Sequence, residues 1–500
     1  MTLTAAQRRT TLLAAIMGSF VALLDSTVVN VALPAIRADL GGGLAGQQWV
    51  VNAYLLMLGS LILIGGSLGD VYGARRVFAI GVGGFGAASV LCAAAPSIEL
   101  LVAGRALQGA FGALLTPASL AIIVAAFPGE ERGAAIGSWT AYSGIAALVG
   151  PLAGGSLVDA LDWRWIFAVN VPFVAVTLAL TARMPALANG GDGRRRPDWA
   201  GAALCAAGLA GPVFGLIQQP RHGWASAMVA VPIVAGLAVF AVFVAWERRA
   251  RDPMLPLGLF ARGNFAWGNV ETLSLYGGLG ATFFLLVVFL QQTGGLSALE
   301  AGMATLPSTL ALFLLSRRFG ALADRHGPRL FMGGGPLVCA CGVLLLVALV
   351  DRDPSLLLEV VPGVAVFGLG LAITVAPLTA AILADADEHN AGIASGVNNA
   401  VARVASLLAT ASIGAVVGGT LDLGGFRMGL LFAGALVALG GAIGLARIRN
   451  PRRRVAAREC PGGQLHGQPE PAWSGDGQAA RASGREARDA VGPGGGAMSR

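Results

Sequence analysis

The chain has 500 residues, of which 55% are hydrophobic and only 12% charged, whereas soluble chains carry about 25% charged residues. All 34 basic side chains are arginines, which excludes a P-loop, because that loop needs a lysine at the β- and γ-phosphates. ATP hydrolysis by that route is therefore excluded, and an ion gradient becomes the likelier energy source.

Apolar runs of about twenty residues recur from Leu12 to Ala446, and each is long enough to cross a hydrocarbon core of about 30 Å. The pattern predicts an all-α membrane protein with about 14 spans. The first run is too long for a cleaved signal peptide and is predicted to be the first span. The predicted spans are 11–36, 48–69, 77–95, 98–126, 134–158, 165–183, 199–217, 226–246, 265–291, 298–318, 329–350, 356–382, 391–417 and 427–446.

The loops between these spans differ in their arginine content. An even number of spans places both ends of the chain on one side of the membrane. Most arginines lie in loops on that side, including 75–76, 194–196, 248–251 and 317–318. Because positively charged loops are retained in the cytoplasm, we predict a multi-pass protein of the cell (inner) membrane with both termini cytoplasmic.

Two loops on the predicted cytoplasmic side repeat the same pattern, one after span 2 and one after span 10. The two sequences are Gly66-Ser-Leu-Gly-Asp70-Val-Tyr-Gly73-Ala-Arg75 and Gly320-Ala-Leu-Ala-Asp324-Arg-His-Gly327-Pro-Arg329. Parallel repeats about an axis normal to the membrane are a known plan among transporters. We therefore predict six-helix bundles over 1–183 and 265–449, two inserted helices with linkers over 184–264, and a disordered cytoplasmic tail over 450–500.

Four ionisable side chains fall well inside predicted spans, where charge is costly and usually faces a cavity or a partner. Asp25 is in span 1, Arg105 in span 4, Glu271 in span 9 and Arg403 in span 13. Three alternatives remain open: Arg105 extends to the outer interface, Glu271 reaches the inner interface, or Arg403 is a structural partner of Glu271. No histidine lies in a span, so we expect no metal site.

Five segments together carry a resemblance to a known family. Beside the two repeated loops, they are Leu24-Asp25-Ser-Thr-Val-Val-Asn30-Val-Ala-Leu-Pro34, Arg105-x-x-Gln108-Gly109, Gly150-Pro151-x-x-Gly154-Gly155 and Trp163-Arg164-Trp165-Ile-Phe167-x-x-Asn170-x-Pro172. In this order they resemble the fourteen-helix drug:proton antiporter branch of the major facilitator superfamily, the EmrB/QacA type. The first repeated loop departs from the family pattern, because Val71 and Ala74 stand where basic residues are common.

The resemblance implies a proton-coupled multidrug or secondary-metabolite efflux transporter that works by alternating access, and not an enzyme. A carrier for uptake of a small metabolite is the alternative, which the Gly150–Gly155 segment disfavours. Conformational roles are expected for Gly66, Asp70, Gly73, Arg75, Gly150, Pro151, Gly154, Gly155, Asp324 and Gly327. We expect no cofactor, no metal and no nucleic acid, and a chain that functions as a monomer in the lipid bilayer.

Depth along the helices, together with the resemblance, which implies that spans 1 and 4 both line the cavity, predicts the proton-coupling centre. Asp25 lies about 21 Å from the inner end of its span, and Arg105 about 18 Å from the inner face. An arginine nearby favours an ionised carboxylate and burial a protonated one, so alternation would let Asp25 exchange a proton. Gln108, one turn away, would hold Arg105. The predicted substrate cavity, for a small apolar or cationic molecule, contains Asp25, Asn30, Trp139, Tyr142, Glu271 and Arg403.

Overall fold

The computed structural model describes residues 3–127, 129, 131–185, 197–385 and 391–450, so the predicted tail lies outside the described residues except at Asn450. Within these ranges, 14 helical segments are long and apolar enough to cross a membrane. The predicted number of spans is confirmed. Their order along the chain is the predicted one, with boundaries that differ by a few residues at most of the ends.

The first six spans are built from seven helices. They are α1 (Ala5–Leu40), α2 (Gly43–Tyr72), α3 (Ala74–Ala93), α4 (Ile98–Ala126), α5 (Glu131–Ala160), α6 (Trp165–Ala168) and α7 (Asn170–Ala182), the last two forming one span. The two helices predicted as an insertion are α8 (Trp199–His222) and α9 (Ala227–Glu247). α8 and α9 pack on each other, and α8 also contacts α2 and α15.

The last six spans begin after a short 3₁₀ turn at Leu257–Ala261. Their helices are α10 (Gly263–Gln292), α11 (Ala298–Met303), α12 (Leu306–His326), α13 (Arg329–Leu349), α14 (Val361–Ala384), α15 (Ala391–Val417) and α16 (Leu423–Arg447). α11 and α12 form one span, and a π-helical turn at Leu356–Val360 leads into α14. We call α1–α7 the N-terminal half and α10–α16 the C-terminal half; their limits as domains stay predictions.

The two repeated loops have the same backbone geometry. Gly73 ends α2 with a φ of 90°, and Gly327 ends α12 with a φ of 86°. Side chains with a Cβ rarely adopt this left-handed conformation, so glycine is required at both turns. Asp70 and Asp324 are exposed beside these turns. The role of these aspartates in stabilising one conformation stays a prediction.

The arginine that follows each glycine binds the end of the last helix of its own half. Arg75 donates from Nε to the Thr181 carbonyl at 3.1 Å and from Nη2 to the Ala182 carbonyl at 2.9 Å. Arg329 donates from Nε to the Leu445 carbonyl at 2.7 Å. The last carbonyls of a helix lack partners within it and carry partial negative charge, so both arginines stabilise a helix C-terminus.

The halves are joined on the side of the molecule that is opposite to the start of α1 and the end of α16. Asp159, at the end of α5, accepts the amide N–H groups of Ala298 at 3.0 Å and Leu299 at 2.8 Å. These amides belong to the first turn of α11 in the other half, and a carboxylate at a helix N-terminus is stabilising. Gln291 adds a bond from Nε2 to the Val31 carbonyl at 3.0 Å.

The Gly150–Gly155 segment lets α5 approach α1 of its own half and α11 of the other half closely. A Cβ at Gly154 would meet Val28 of α1, and one at Gly155 would meet the backbone of Leu299. The Pro151 carbonyl, in turn, lies against Gly302 of the C-terminal half. Small residues allow this backbone contact between helices, so the predicted conformational segment forms part of the joint between the halves.

Candidate functional site

Asp25 and Arg105, which come from α1 and α4, form a buried ion pair. Arg105 Nη1 lies 2.5 Å from Asp25 Oδ2, and the side chains are 2% and 0% exposed. The structure thus brings together the two residues whose depths along the helices were predicted to match. The alternative in which Arg105 extends to the outer interface is excluded, because its guanidinium is buried at this pair.

Gln108 lies on the face of α4 that carries Arg105, since residues three apart on a helix are neighbours. Its Oε1 accepts from Arg105 Nη1 at 2.9 Å, as the predicted bracing role requires. Its Nε2 donates to Asp25 Oδ1 at 3.1 Å and to Ser89 Oγ at 2.8 Å. Gln108 therefore holds both members of the ion pair and connects them to α3.

Asn170 was not among the predicted site residues, yet it completes the cluster. It is the first residue of α7, and its Nδ2 donates to Asp25 Oδ1 at 2.9 Å. Asp25 thus receives donors from Arg105, Gln108 and Asn170, all of them buried. Asn170 belongs to the quoted segment that ends at Pro172, so a polar residue in that segment was the available signal.

Arg105 is also held by a hydrogen bond to a backbone carbonyl and by aromatic rings that lie against its guanidinium plane. Its Nε donates to the Val50 carbonyl at 3.2 Å. Its guanidinium lies over the Tyr54 ring, 4.3 Å from the centroid, and 5.8 Å from the Phe167 centroid. A desolvated guanidinium over an aromatic face gains about 2 kcal/mol. The aromatic and amide contacts fix Arg105 in one orientation toward Asp25.

Glu271 lies elsewhere, inside the C-terminal half. Its side chain is fully buried, and neither carboxylate oxygen has a hydrogen-bond partner in the part of the chain that the structure describes. The face of α10 that carries Glu271 also carries Gly268, which packs on Ile382, and Gly278, which packs on Val437. Glu271 therefore points toward α14 and α16, away from the Asp25 cluster.

Arg403 does not pair with Glu271 among the described residues, so the alternative of a structural ion pair is excluded for this arrangement. Arg403 lies on α15 against Gly59 of α2, where the two halves meet. The two residues do not contact each other as an ion pair, and their sharing of one substrate cavity stays a prediction. Only Arg403 of the two lies at the contact between the halves.

The remaining predicted cavity residues do not join the Asp25 cluster. Trp139 donates from Nε1 to Ser19 Oγ at 2.9 Å, which links α5 to α1. Tyr142 is 57% exposed and Asn30 is half-buried. Their role in binding substrate stays a prediction.

A cavity of about 620 Å³ opens between the halves on the side opposite to the start of α1 and the end of α16. α8 contributes to its wall together with the ends of α1, α10 and α15. Arg37 donates from Nη1 to Gln292 Oε1 at 2.5 Å across this cavity and joins the two halves there. The lining combines apolar residues such as Leu44 and Ile217 with the polar side chains of Arg37, Arg221, Gln48, Gln292, Thr293 and Asp422.

Comparisons with known proteins identify the family. Residues 15–410 match the model of the Major Facilitator Superfamily. The chain is 38% identical over 428 residues to the probable actinorhodin transporter of Streptomyces coelicolor, covering 83% of this chain and 73% of that protein. It is 37% identical to the puromycin resistance protein pur8 of Streptomyces alboniger, with 79% and 78% covered. It is 32% identical to the cephamycin export protein CmcT of Amycolatopsis lactamdurans, with 92% and 95% covered.

Solved structures agree on the fold. A peptide transporter POT in complex with sulfate superposes with a TM-score of 0.66 at 15% identity, covering 87% of this chain and 94% of that one. The inward open conformation of the xylose transporter XylE from E. coli gives a TM-score of 0.59 at 15% identity, covering 89% and 98%. At this identity the likeness concerns the fold alone. The chain belongs to the major facilitator superfamily, a family of membrane transporters.

Proposed function

We propose that this protein exports drugs or secondary metabolites in exchange for protons, by alternating access. The observation that carries the proposal is the buried Asp25–Arg105 pair with its amide donors. The names of the relatives support the direction of transport, since they include resistance and export proteins. Both termini are proposed to be cytoplasmic, and the protein is proposed to work as a monomer.

Asp25 is the group proposed to carry the proton. Its carboxylate accepts from Arg105, Gln108 and Asn170, which together stabilise the charged form. Protonation would remove the charge and leave the Arg105 guanidinium without its counter-ion. A buried charge that loses its partner is strongly destabilising, so the helices must rearrange when Asp25 takes up a proton. This requirement couples the protonation of Asp25 to the conformational change, while Arg105 stays charged throughout.

The substrate is proposed to be small and largely apolar. The expectation of cationic substrates depended in part on Glu271, whose carboxylate is buried in the C-terminal half. Cationic substrates therefore stay a prediction, which a panel of charged and neutral compounds can test.

The experiment is transport in inverted membrane vesicles energised by respiration, with a fluorescent panel of polycyclic compounds. Export predicts accumulation inside the vesicles that collapses when a protonophore is added. Asp25→Asn should abolish accumulation, and Asp252→Asn, which changes an exposed loop aspartate, should not. Proton-driven loss of compound from the vesicles would instead favour the uptake carrier. Accumulation that persists with protonophore in the wild-type protein would refute proton coupling.

A further inference from the structure

Arg403 lies at mid-span where α15 of the C-terminal half crosses α2 of the N-terminal half. Its Cβ is 3.3 Å from the position that a Cβ on Gly59 would take, so α2 approaches Arg403 closely at this glycine. The two helices also meet at Gln48, which donates from Nε2 to the Thr410 carbonyl at 2.6 Å. The Arg403 side chain therefore starts from the seam between the halves, which we call the α2–α15 seam.

The positive charge of Arg403 has no acidic partner in the described ranges. The Arg403 side chain is half-buried at this depth. Its Nε is buried without a hydrogen bond among the residues that the structure describes. A charge within the hydrocarbon depth that lacks a partner is costly and marks a functional site.

The nearby carboxylates are occupied or point elsewhere. Both oxygens of Asp25 already accept from Arg105, Gln108 and Asn170. Glu271 points into the C-terminal half. In this arrangement the seam thus carries a net positive charge, because the Asp25–Arg105 pair is neutral and Arg403 is not compensated.

Asn52 supplies a second, independent observation at the same seam. It is fully buried, and neither atom of its amide has a partner among the described residues. It lies one turn from Gln48 and two turns from Gly59, on the face of α2 that both use to contact α15. Burying an amide without hydrogen bonds costs free energy, so a ligand that bonds to it would recover that cost.

From these observations we propose that Arg403 and Asn52 bind an acidic group, a carboxylate, of the transported molecule at the α2–α15 seam. Arg403 supplies the charge and the fork of N–H donors that matches a carboxylate, and Asn52 supplies a further amide donor. The inference rests on the proposed function and narrows its substrate class to apolar molecules that carry one acid. The seam then selects acids over neutral and cationic molecules of the same shape.

The test measures binding to the purified protein in lipid nanodiscs, with empty nanodiscs subtracted. The probes are 9-anthracenecarboxylic acid, its methyl ester and 9-(aminomethyl)anthracene, which share one fluorescent ring system and differ in charge. The acid is expected to bind at least about tenfold more tightly than the ester or the amine, which corresponds to about 1.4 kcal/mol. Equal affinities, or no binding of the acid, would overturn the inference.

Variants assign the preference to the two residues. Arg403→Gln should reduce the affinity for the acid to that for the ester, and Arg403→Lys should keep part of the difference. Asn52→Asp adds a negative charge at the seam and should shift the preference toward the amine. Arg447→Gln is the matched control, because Arg447 stacks on Trp267 within the C-terminal half. An unchanged acid-to-ester ratio in Arg403→Gln would overturn the assignment.

This binding test is independent of proton coupling. No gradient is present, so Asp25→Asn should keep the preference for the acid even if it abolishes uphill transport. If the acid is preferred but no compound is exported with protons, the proposed function fails and the binding site stands. If neutral compounds are exported with protons and no acid is preferred, the binding site fails and the proposed function stands.

Discussion

The contact between the two halves can be tested by substituting one side chain, Asp159. Its two oxygens accept the first amides of α11 at 3.0 and 2.8 Å, across the boundary between α5 and the C-terminal half. Loss of a side-chain cap costs about 1 kcal/mol, with a range of about 0.5–2 kcal/mol. Because Asp159 is exposed, we take about 1 kcal/mol for Asp159→Ala, which is about a fivefold shift toward separation of the halves on this side.

The assay measures the distance between the halves directly. Spin labels at Leu161 and Leu357, both exposed on the side opposite to the start of α1 and the end of α16, would report the distribution of distances by double electron–electron resonance. The native cysteines are first replaced. Asp159→Ala should increase the longer-distance population about fivefold, and Asp159→Asn, which keeps one acceptor, should give a smaller increase.

Asp162→Ala is the matched control for Asp159→Ala. Asp162 lies three residues away, but its Oδ1 accepts the amide N–H of Arg164 within its own half, at 2.8 Å. The control should leave the distance distribution unchanged. An unchanged distribution in Asp159→Ala, or an equal change in the control, would refute the idea that this carboxylate joins the halves.

Three further predictions follow from the described contacts. Arg75→Gln and Arg329→Gln should each lower the free energy of unfolding by about 1 kcal/mol. The two losses should add, because the arginines cap different helices. Thermal unfolding in detergent measures the losses, and non-additive losses would contradict the prediction. Arg105→Ala should abolish uphill transport. Arg105→Lys should restore only part of the transport, since lysine lacks the guanidinium plane over Tyr54. Full activity of either variant in inverted vesicles would contradict this prediction. A chain that ends at Arg458 should transport normally, measured at matched membrane abundance.

The spans and the central ion pair could be predicted from the sequence. Hydropathy alone gives each span, because the hydrocarbon core requires a fixed length of apolar helix. Counting residues along α1 and α4 placed Asp25 and Arg105 at similar depths, and the resemblance implied that both helices line the cavity. The structure joins the two side chains at 2.5 Å. The depth of a residue depends only on its position along its own helix, so it can be estimated without knowing how the helices pack.

The rotation of each helix about its axis could not be predicted in the same way. Glu271 and Arg403 were assigned to one cavity because both are charged and within spans. Which way each one points depends on helix contacts, such as Gly268 on Ile382 and Gly59 on Arg403. The contact of Arg75 with the end of α7 could not be predicted for a similar reason, because its acceptors are backbone carbonyls, and carbonyls carry no sequence signal.

The measurement that tests the central claim most directly is substrate-driven proton movement in proteoliposomes. A gradient of an exported compound is imposed without a pH gradient, and a pH-sensitive dye inside the vesicles reports proton flux. The wild-type protein should move protons opposite to the substrate, and Asp25→Asn should exchange labelled for unlabelled substrate while moving none. Substrate-driven proton flux that persists in Asp25→Asn would contradict the account, because the coupling proton would then be carried by another group.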